Sequence, residues 1–126
     1  SPLFTPGTPR VLPHPLLRPG PKHHCVEKRI PSSFVGTGLD TWLRERSIDT
    51  LVIAGLMTHM CVDSTARDAV SLGFRVIVVG DACATRDLPA LDGAVITHDA
   101  LHRAALAALA DRFADVLQTA EVTRLA

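Results

Sequence analysis

The sequence predicts an α/β domain with a mostly parallel sheet. Short continuous apolar runs that end at glycine alternate with helix-like segments, and a proline-rich stretch precedes them. Continuous apolar runs are typical of strands buried on both faces of a parallel sheet, and strands that alternate with helices favour this architecture. The 126 residues, 47% of them hydrophobic, are enough for one domain with a buried core.

The predicted elements follow in chain order. Residues 1–22 carry seven prolines, so we expect a loop segment there, and residues 23–126 form the rest of the domain. A short strand is predicted over residues 24–28, a helix capped by Thr37 over 37–46, and a buried strand over 50–54. A second helix covers 61–72 and a second buried strand 75–79, followed by a loop over 82–93. Residues 94–97 form a brief strand or part of that loop, 99–113 the last helix, and 115–119 the last strand.

Charge and cysteine content exclude several classes of function. The 13 basic and 13 acidic residues cancel, which gives no support for a nucleic-acid or anionic-membrane partner. No apolar run approaches the ~20 residues of a membrane span, and the proline-rich start predicts no signal peptide. The three cysteines lack metal-ligand spacing and are odd in number, which favours a reduced, cytoplasmic setting over a disulfide framework.

Cys61 is the candidate nucleophile, in the segment that joins the 50–54 strand to the 61–72 helix. In open α/β sheets, sites lie beyond the carboxyl ends of the strands. Unpaired backbone donors at a helix N-terminus would stabilise a thiolate there and could also bind an oxyanion. The alternative is that Cys61 is simply a small buried residue at the start of a helix.

Lys28 ends the predicted 24–28 strand, again at a carboxyl end. From there its ammonium could reach the same crevice as Cys61, favour the thiolate and hold a substrate. The alternative is a solvated lysine at a strand end, which is the commoner case.

Three stretches resemble the isochorismatase-like cysteine hydrolases, in the same order and at similar spacing. The first is residues 27–37, where a lysine precedes Ser-Phe and Gly-Thr. The second and more specific one is residues 55–69, which read Gly-x-x-Thr-x-x-Cys-Val with Thr-Ala further along the helix. The third is residues 73–84, an apolar strand followed by Gly-Asp-Ala. The resemblance covers nearly the whole chain.

This resemblance implies a Rossmann-like, three-layer α/β/α domain with a Cys-Asp-Lys triad. Cys61 matches the family nucleophile and Lys28 the family lysine. A cis peptide bond between Leu56 and Met57 is implied, with the amides of Met57 and Cys61 forming the oxyanion hole. The family aspartate ends the first strand, well before the lysine. No aspartate of this sequence matches it, neither Asp40, Asp49 nor Asp63, so the aspartate and the first strands are expected upstream of Ser1.

The walls of the pocket are harder to assign, and the candidates are Phe34, Leu56, Thr58 and His59. Phe34 could pack on a substrate ring or belong to the core. His59 could face the pocket or a neighbouring subunit, or be a hydrogen-bonded loop residue. His98 and His102 open the last helix and are expected on its surface.

No metal or other cofactor is expected. Nicotinamidases of this superfamily bind a metal through a histidine just before a Gly-Thr-Pro turn, and the matching position here is about Leu3. His23 and His24 are adjacent on the predicted strand and would point to opposite faces, so they would not share a metal.

The resemblance therefore implies a cysteine hydrolase of the amidase type, acting on a small amide, lactam or carbamoyl compound through a thioester. The sequence around Cys61 most resembles that of streptothricin-hydrolase-like and uncharacterised bacterial members. The partners expected are a small-molecule substrate and copies of the chain in a homo-oligomer. The alternatives are a truncated or degenerate member that acts only in oligomerisation, and a nucleotide-binding module. The latter is disfavoured because no G-x-G-x-x-G motif is present.

Overall fold

The computed structural model describes residues 5–125, and the structural statements below concern that range. The elements in chain order are a 3-10 turn at Pro9–Val11, α1 at Leu39–Arg44, β1 at Thr50–Leu56, a π-helical turn at Thr58–Val62, α2 at Asp63–Ser71, β2 at Arg75–Ala84, β3 at Leu88–Pro89, β4 at Val95–Ile96, α3 at His98–Arg112, β5 at Asp115–Leu117 and α4 at Thr119–Val122. None of the described helices is both long enough and apolar enough to cross a lipid bilayer.

The main sheet has three parallel strands, with β2 between β1 and β5. β3 and β4 form a separate two-stranded antiparallel ladder. Helices occupy the connections between the parallel strands, as they must because a parallel crossover needs a dozen residues or more. The predicted α/β architecture with a parallel sheet is confirmed.

The centre of the core is β2. Val76, Ile77, Val78 and Val79 are all buried, as predicted for a central strand. α2 packs Ala66 and Ala69 into the same cluster, and α3 adds Leu109. Burying a leucine side chain completely stabilises a fold by about 1.5–3 kcal/mol, so Leu109 holds α3 firmly to the domain.

β1 differs from the prediction of a strand buried on both faces. Leu51 and Ile53 pack against the core, but Val52 between them is 54% exposed. The physical reason is position: β1 is at the edge of the sheet, and no element among residues 5–125 covers its second face.

The predicted strand at 24–28 is absent, and this segment is irregular. No described strand pairs with it, so it has no ladder to join. It is held instead by ring stacking, with the His24 and Trp42 centroids 4.3 Å apart and the rings nearly parallel. His23 hydrogen-bonds the Gly20 amide, so neither histidine has the strand geometry expected from the sequence.

Several boundaries shift by a few residues. β2 continues past its predicted end because Gly55 and Leu56 of β1 pair with Cys83 and Ala84 after a register shift. The predicted 82–93 loop therefore starts later, and the brief strand within 94–97 is β4. α1 begins after Gly38 rather than at Thr37, although the Thr37 hydroxyl does accept a hydrogen bond from the Leu39 amide.

Candidate active site

Cys61 lies in the π-helical turn Thr58–Val62, between the carboxyl end of β1 and the start of α2. At the start of the turn, the Met57 carbonyl accepts hydrogen bonds from the amides of Met60 and Val62. The Leu56–Met57 peptide bond just before it is cis, as the sequence resemblance implied. Gly55 has φ +131°, a conformation that L side chains rarely adopt, so the chain can leave β1 in this way only with glycine there. The strand-to-helix position predicted for Cys61 is confirmed.

The Lys28 side chain reaches Cys61. Its Nζ is 3.1 Å from the Cys61 Sγ, 3.1 Å from the Ile30 carbonyl oxygen and 2.8 Å from the Pro31 carbonyl oxygen. An ammonium has three N–H donors, and these three acceptors match that number. The two carbonyls accept from the ammonium and turn its third donor toward the sulfur.

The lysine segment is fixed to α2 by polar contacts. Thr65 of α2 is buried; its hydroxyl accepts a hydrogen bond from the Ser33 amide at 3.1 Å and donates to the Ser33 hydroxyl at 3.2 Å. The Thr37 hydroxyl donates to the Ser33 carbonyl at 2.6 Å. Lys28 is therefore positioned without a strand, because the loop that follows it is tied to the helix that follows Cys61.

The side chains of Thr58 and His59 hydrogen-bond to other parts of the domain. These are the first two residues of the Thr58–Val62 turn, which we call the nucleophile turn. Thr58 is fully buried, and its hydroxyl is 2.8 Å from Nδ1 of His102 on α3. His59, the next residue, hydrogen-bonds the Thr85 hydroxyl just after β2. The turn that carries Cys61 is thus attached to α3 on one side and to the end of β2 on the other.

His102 was not recognised from the sequence, where it was assigned to the helix surface. The signal was present, because His102, Leu106 and Leu109 follow the i, i+4, i+7 spacing of one helix face, and that face enters the core. His98 does lie at the surface, paired with Asp87 at 2.8 Å.

The other pocket candidates have different surroundings. Phe34 is in the core and stacks on Phe74 with centroids 5.8 Å apart, which is the second of the roles left open by the sequence. It also borders a shallow depression that does not include Cys61 or Lys28. Leu56 is 68% exposed beside the turn.

The cysteines differ in their surroundings. Cys25 is exposed, and Cys83 is buried at the end of β2. Burial raises the pKa of the Cys83 thiol, a hydrogen bond from the Gly55 backbone partly offsets this, and the nearby Asp81 charge adds to the increase. Cys61 is half-buried and is the one with a lysine ammonium in contact with its sulfur.

Within residues 5–125, no carboxylate bonds to Cys61 or Lys28. Asp40 pairs with Arg44 and Asp63 with Arg67, each within one helix. Asp49 accepts a hydrogen bond from the Thr50 hydroxyl. These three aspartates therefore make contacts within their own segments.

Residues 5–125 contain no cluster of three or more His, Cys, Asp or Glu side chains arranged to hold a metal. Leu3, the position compared with the nicotinamidase ligand, lies outside the described residues.

Comparison with known proteins agrees with this geometry. The profile of the isochorismatase domain family matches residues 1–121. The uncharacterized isochorismatase family protein YddQ of Bacillus subtilis is 39% identical over 92% of this chain and 64% of its own length. A streptothricin hydrolase of Streptomyces noursei is 42% identical over 68% of this chain and 30% of its own. A cysteine hydrolase structure from Pseudomonas syringae pv. phaseolicola superposes with a TM-score of 0.91 at 34% identity, over 94% of this chain and 56% of that one.

A parallel α/β sheet with a cysteine and a lysine in contact beyond the carboxyl end of a strand places the chain among α/β domains with a candidate site at that edge. The chain belongs to the isochorismatase family, a family of hydrolases. It spans less than two thirds of the length of these relatives: 64%, 30% and 56%.

Proposed function

We propose that this protein is a cysteine-dependent hydrolase of the amidase type, with Cys61 as its nucleophile and a small amide, lactam or carbamoyl compound as substrate. The observation that carries this proposal is the 3.1 Å contact between the Lys28 ammonium and the Cys61 sulfur. A thiolate is the reactive form of cysteine, and an adjacent cation stabilises it. The similarity to a streptothricin hydrolase and to a cysteine hydrolase supports the same chemistry.

The reaction begins when the Cys61 thiolate attacks the carbonyl carbon and forms a C–S bond. The carbonyl π electrons move to oxygen and form an oxyanion. The backbone N–H groups of Met57, just before the nucleophile turn, and of Cys61, within it, are the candidates to stabilise this oxyanion. When the oxyanion collapses, the C–N bond breaks and the leaving nitrogen takes up the proton that the thiol had lost. Water then cleaves the thioester, which releases an acid and restores the thiol.

The proton must be held between these steps by a base. No carboxylate within residues 5–125 hydrogen-bonds to Cys61 or Lys28, so the proposal assigns this role to a carboxylate outside that range, as the family resemblance implies. Lys28 then has an electrostatic role: its charge is held beside the sulfur by two backbone carbonyls.

An activated ester tests the nucleophile separately from the base. p-Nitrophenolate leaves without being protonated, so acetylation by p-nitrophenyl acetate needs only the thiolate and the oxyanion donors. We expect a burst of about one equivalent of nitrophenolate per chain, with the acetyl group on Cys61 by peptide mass spectrometry. The burst should persist in Cys25→Ser and disappear in Cys61→Ser.

A panel of small amides, lactams and carbamoyl compounds then tests the amidase assignment. Hydrolysis that is lost in Cys61→Ser supports it. A burst on Cys61 without hydrolysis of any member of the panel contradicts it, and acetylation spread equally over Cys25 and Cys61 contradicts the choice of nucleophile. Equal acetylation of the two cysteines would favour the alternative of a non-catalytic family member.

A further inference from the structure

We infer that His102 is a positioning residue for the nucleophile, acting through the buried hydroxyl of Thr58. This inference rests on the proposed function, because it concerns how Cys61 is held against Lys28. His102 contacts neither the sulfur nor the ammonium in the hydrogen bonds described above. Its effect is carried by the turn.

Thr58 is suited to transmit this effect. It is the first residue of the π-helical turn, three residues before Cys61, and its side chain is fully buried. A buried hydroxyl without a partner is destabilising, so the position of Thr58 is coupled to the presence of an acceptor or donor opposite it. His102 Nδ1 provides that partner at 2.8 Å.

The partnership does not depend on one protonation state of the ring. A neutral imidazole with Nδ1 unprotonated accepts the Thr58 proton, whereas a protonated Nδ1 donates to the Thr58 oxygen. A hydrogen bond can therefore form in either state. This is the behaviour expected of a structural tether, and it differs from that of a general base, which must exchange a proton during turnover.

The rest of α3 explains why His102 is a firm point of attachment. Leu106 and Leu109 lie on the same face of the helix, and Leu109 is fully buried. A tether fixed to a well-packed helix restricts the turn more than one fixed to a loop. Cys61 is held from the other side by the contact with Lys28, whose segment is itself fixed to α2 through Ser33 and Thr65.

The inference predicts that loss of the tether acts by loosening the contact between Lys28 and Cys61. The measurement is the rate at which Cys61 reacts with a small aromatic disulfide at neutral pH, followed residue by residue by mass spectrometry. His102→Leu and Thr58→Val should each slow the exchange reaction of Cys61 by up to about threefold, the factor expected for Lys28→Met. His102→Asn, which keeps a polar atom near the Nδ1 position, should restore most of the rate.

The decisive comparison is made in the Lys28→Met background. There the ammonium is already gone, so adding His102→Leu should cause no further slowing. Leu106→Ala is the matched control, because it removes packing from the same face of α3 but leaves the Thr58–His102 hydrogen bond in place. It should lower the melting temperature but leave the rate at Cys61 within about twofold.

The outcomes separate this inference from the proposed function. If Cys61 reacts no faster in the wild type than in Lys28→Met, the proposed function fails. If that difference is present but His102→Leu matches the wild type, or slows Cys61 equally in both backgrounds, the role of His102 is overturned.

Discussion

Replacing Lys28 with methionine removes the cation beside Cys61 and keeps an unbranched side chain of similar length. The Nζ–Sγ distance is 3.1 Å, and both residues are partly open to solvent. With the dielectric constant of water, Coulomb's law gives about 1.3 kcal/mol for a unit charge pair at this distance, a cautious value for a screened pair. Removing the ammonium therefore withdraws about 1.3 kcal/mol of stabilisation from a negative charge on the sulfur.

That energy is about tenfold in an equilibrium constant, but the rate at which Cys61 reacts changes by less. A less stabilised thiolate is a stronger nucleophile. With a Brønsted slope of about 0.5, a tenfold loss of thiolate stabilisation is offset by roughly a threefold gain in nucleophilicity. The net expectation is that Lys28→Met slows Cys61 about threefold at neutral pH.

The assay is thiol–disulfide exchange with a small aromatic disulfide, with the product at each cysteine quantified by peptide mass spectrometry across pH. Lys22→Met is the matched control, since Lys22 is an exposed lysine in the same irregular segment. Equal rates of exchange at Cys61 in the wild type and in Lys28→Met at neutral pH would refute the electrostatic role of Lys28.

Three further predictions concern the fold around the site. Leu109→Ala should destabilise the protein by about 2–5 kcal/mol, because it empties a fully buried position, whereas Leu91→Ala at an exposed position should change stability by less than about 0.5 kcal/mol; chemical denaturation measures both. Hydrogen bonds from the backbone and the hydroxyl of Thr119 lower the pKa of Asp81. The folded state therefore favours the carboxylate, and its stabilising effect is present above the ordinary carboxyl pKa and is lost as the pH falls through the lowered one. Asp81→Asn should accordingly lower the melting temperature near neutral pH and do so less in acid; an equal difference at both pH values would contradict this. Because burial raises the pKa of its thiol, Cys83 should resist alkylation at neutral pH until denaturant unfolds the chain, and rapid labelling in the folded state would disprove it.

Much of the fold could be predicted from local patterns. The four-residue apolar run 76–79 in β2 is a local signal, and the structure has a strand where it occurs. The helix after Cys61 and the strand-to-helix turn that contains Cys61 could also be predicted, because the family resemblance extends over that whole segment.

The errors come from interactions that local patterns do not contain. Val52 looks like a core residue in the sequence, but its burial depends on what covers β1, and among residues 5–125 nothing does. The alternating residues 24–28 suit a strand, but a strand needs a partner, and the stacking of His24 on Trp42 holds the segment instead.

The candidate site was predicted in part. The predicted strand-end position suggested that Lys28 could reach Cys61, and the family resemblance singled out this pair. The structure brings the two together although the strand expected to present Lys28 is missing. His102 was missed because a polar residue in an Ala/Leu-rich helix was assigned to its surface. Its partner Thr58 is 44 residues away in sequence, so only the tertiary structure reveals the pair.

The most direct test of the account is the relative reactivity of Cys61 and Cys25 in the unmodified protein. Both are labelled in one sample with a limiting amount of a small disulfide at neutral pH, and each is quantified from its own peptide. Because a lysine ammonium contacts its sulfur, Cys61 should react about threefold faster than Cys25, although Cys25 is the more exposed. Equal labelling, or faster labelling of Cys25, would contradict the claim that Lys28 activates Cys61 as a nucleophile.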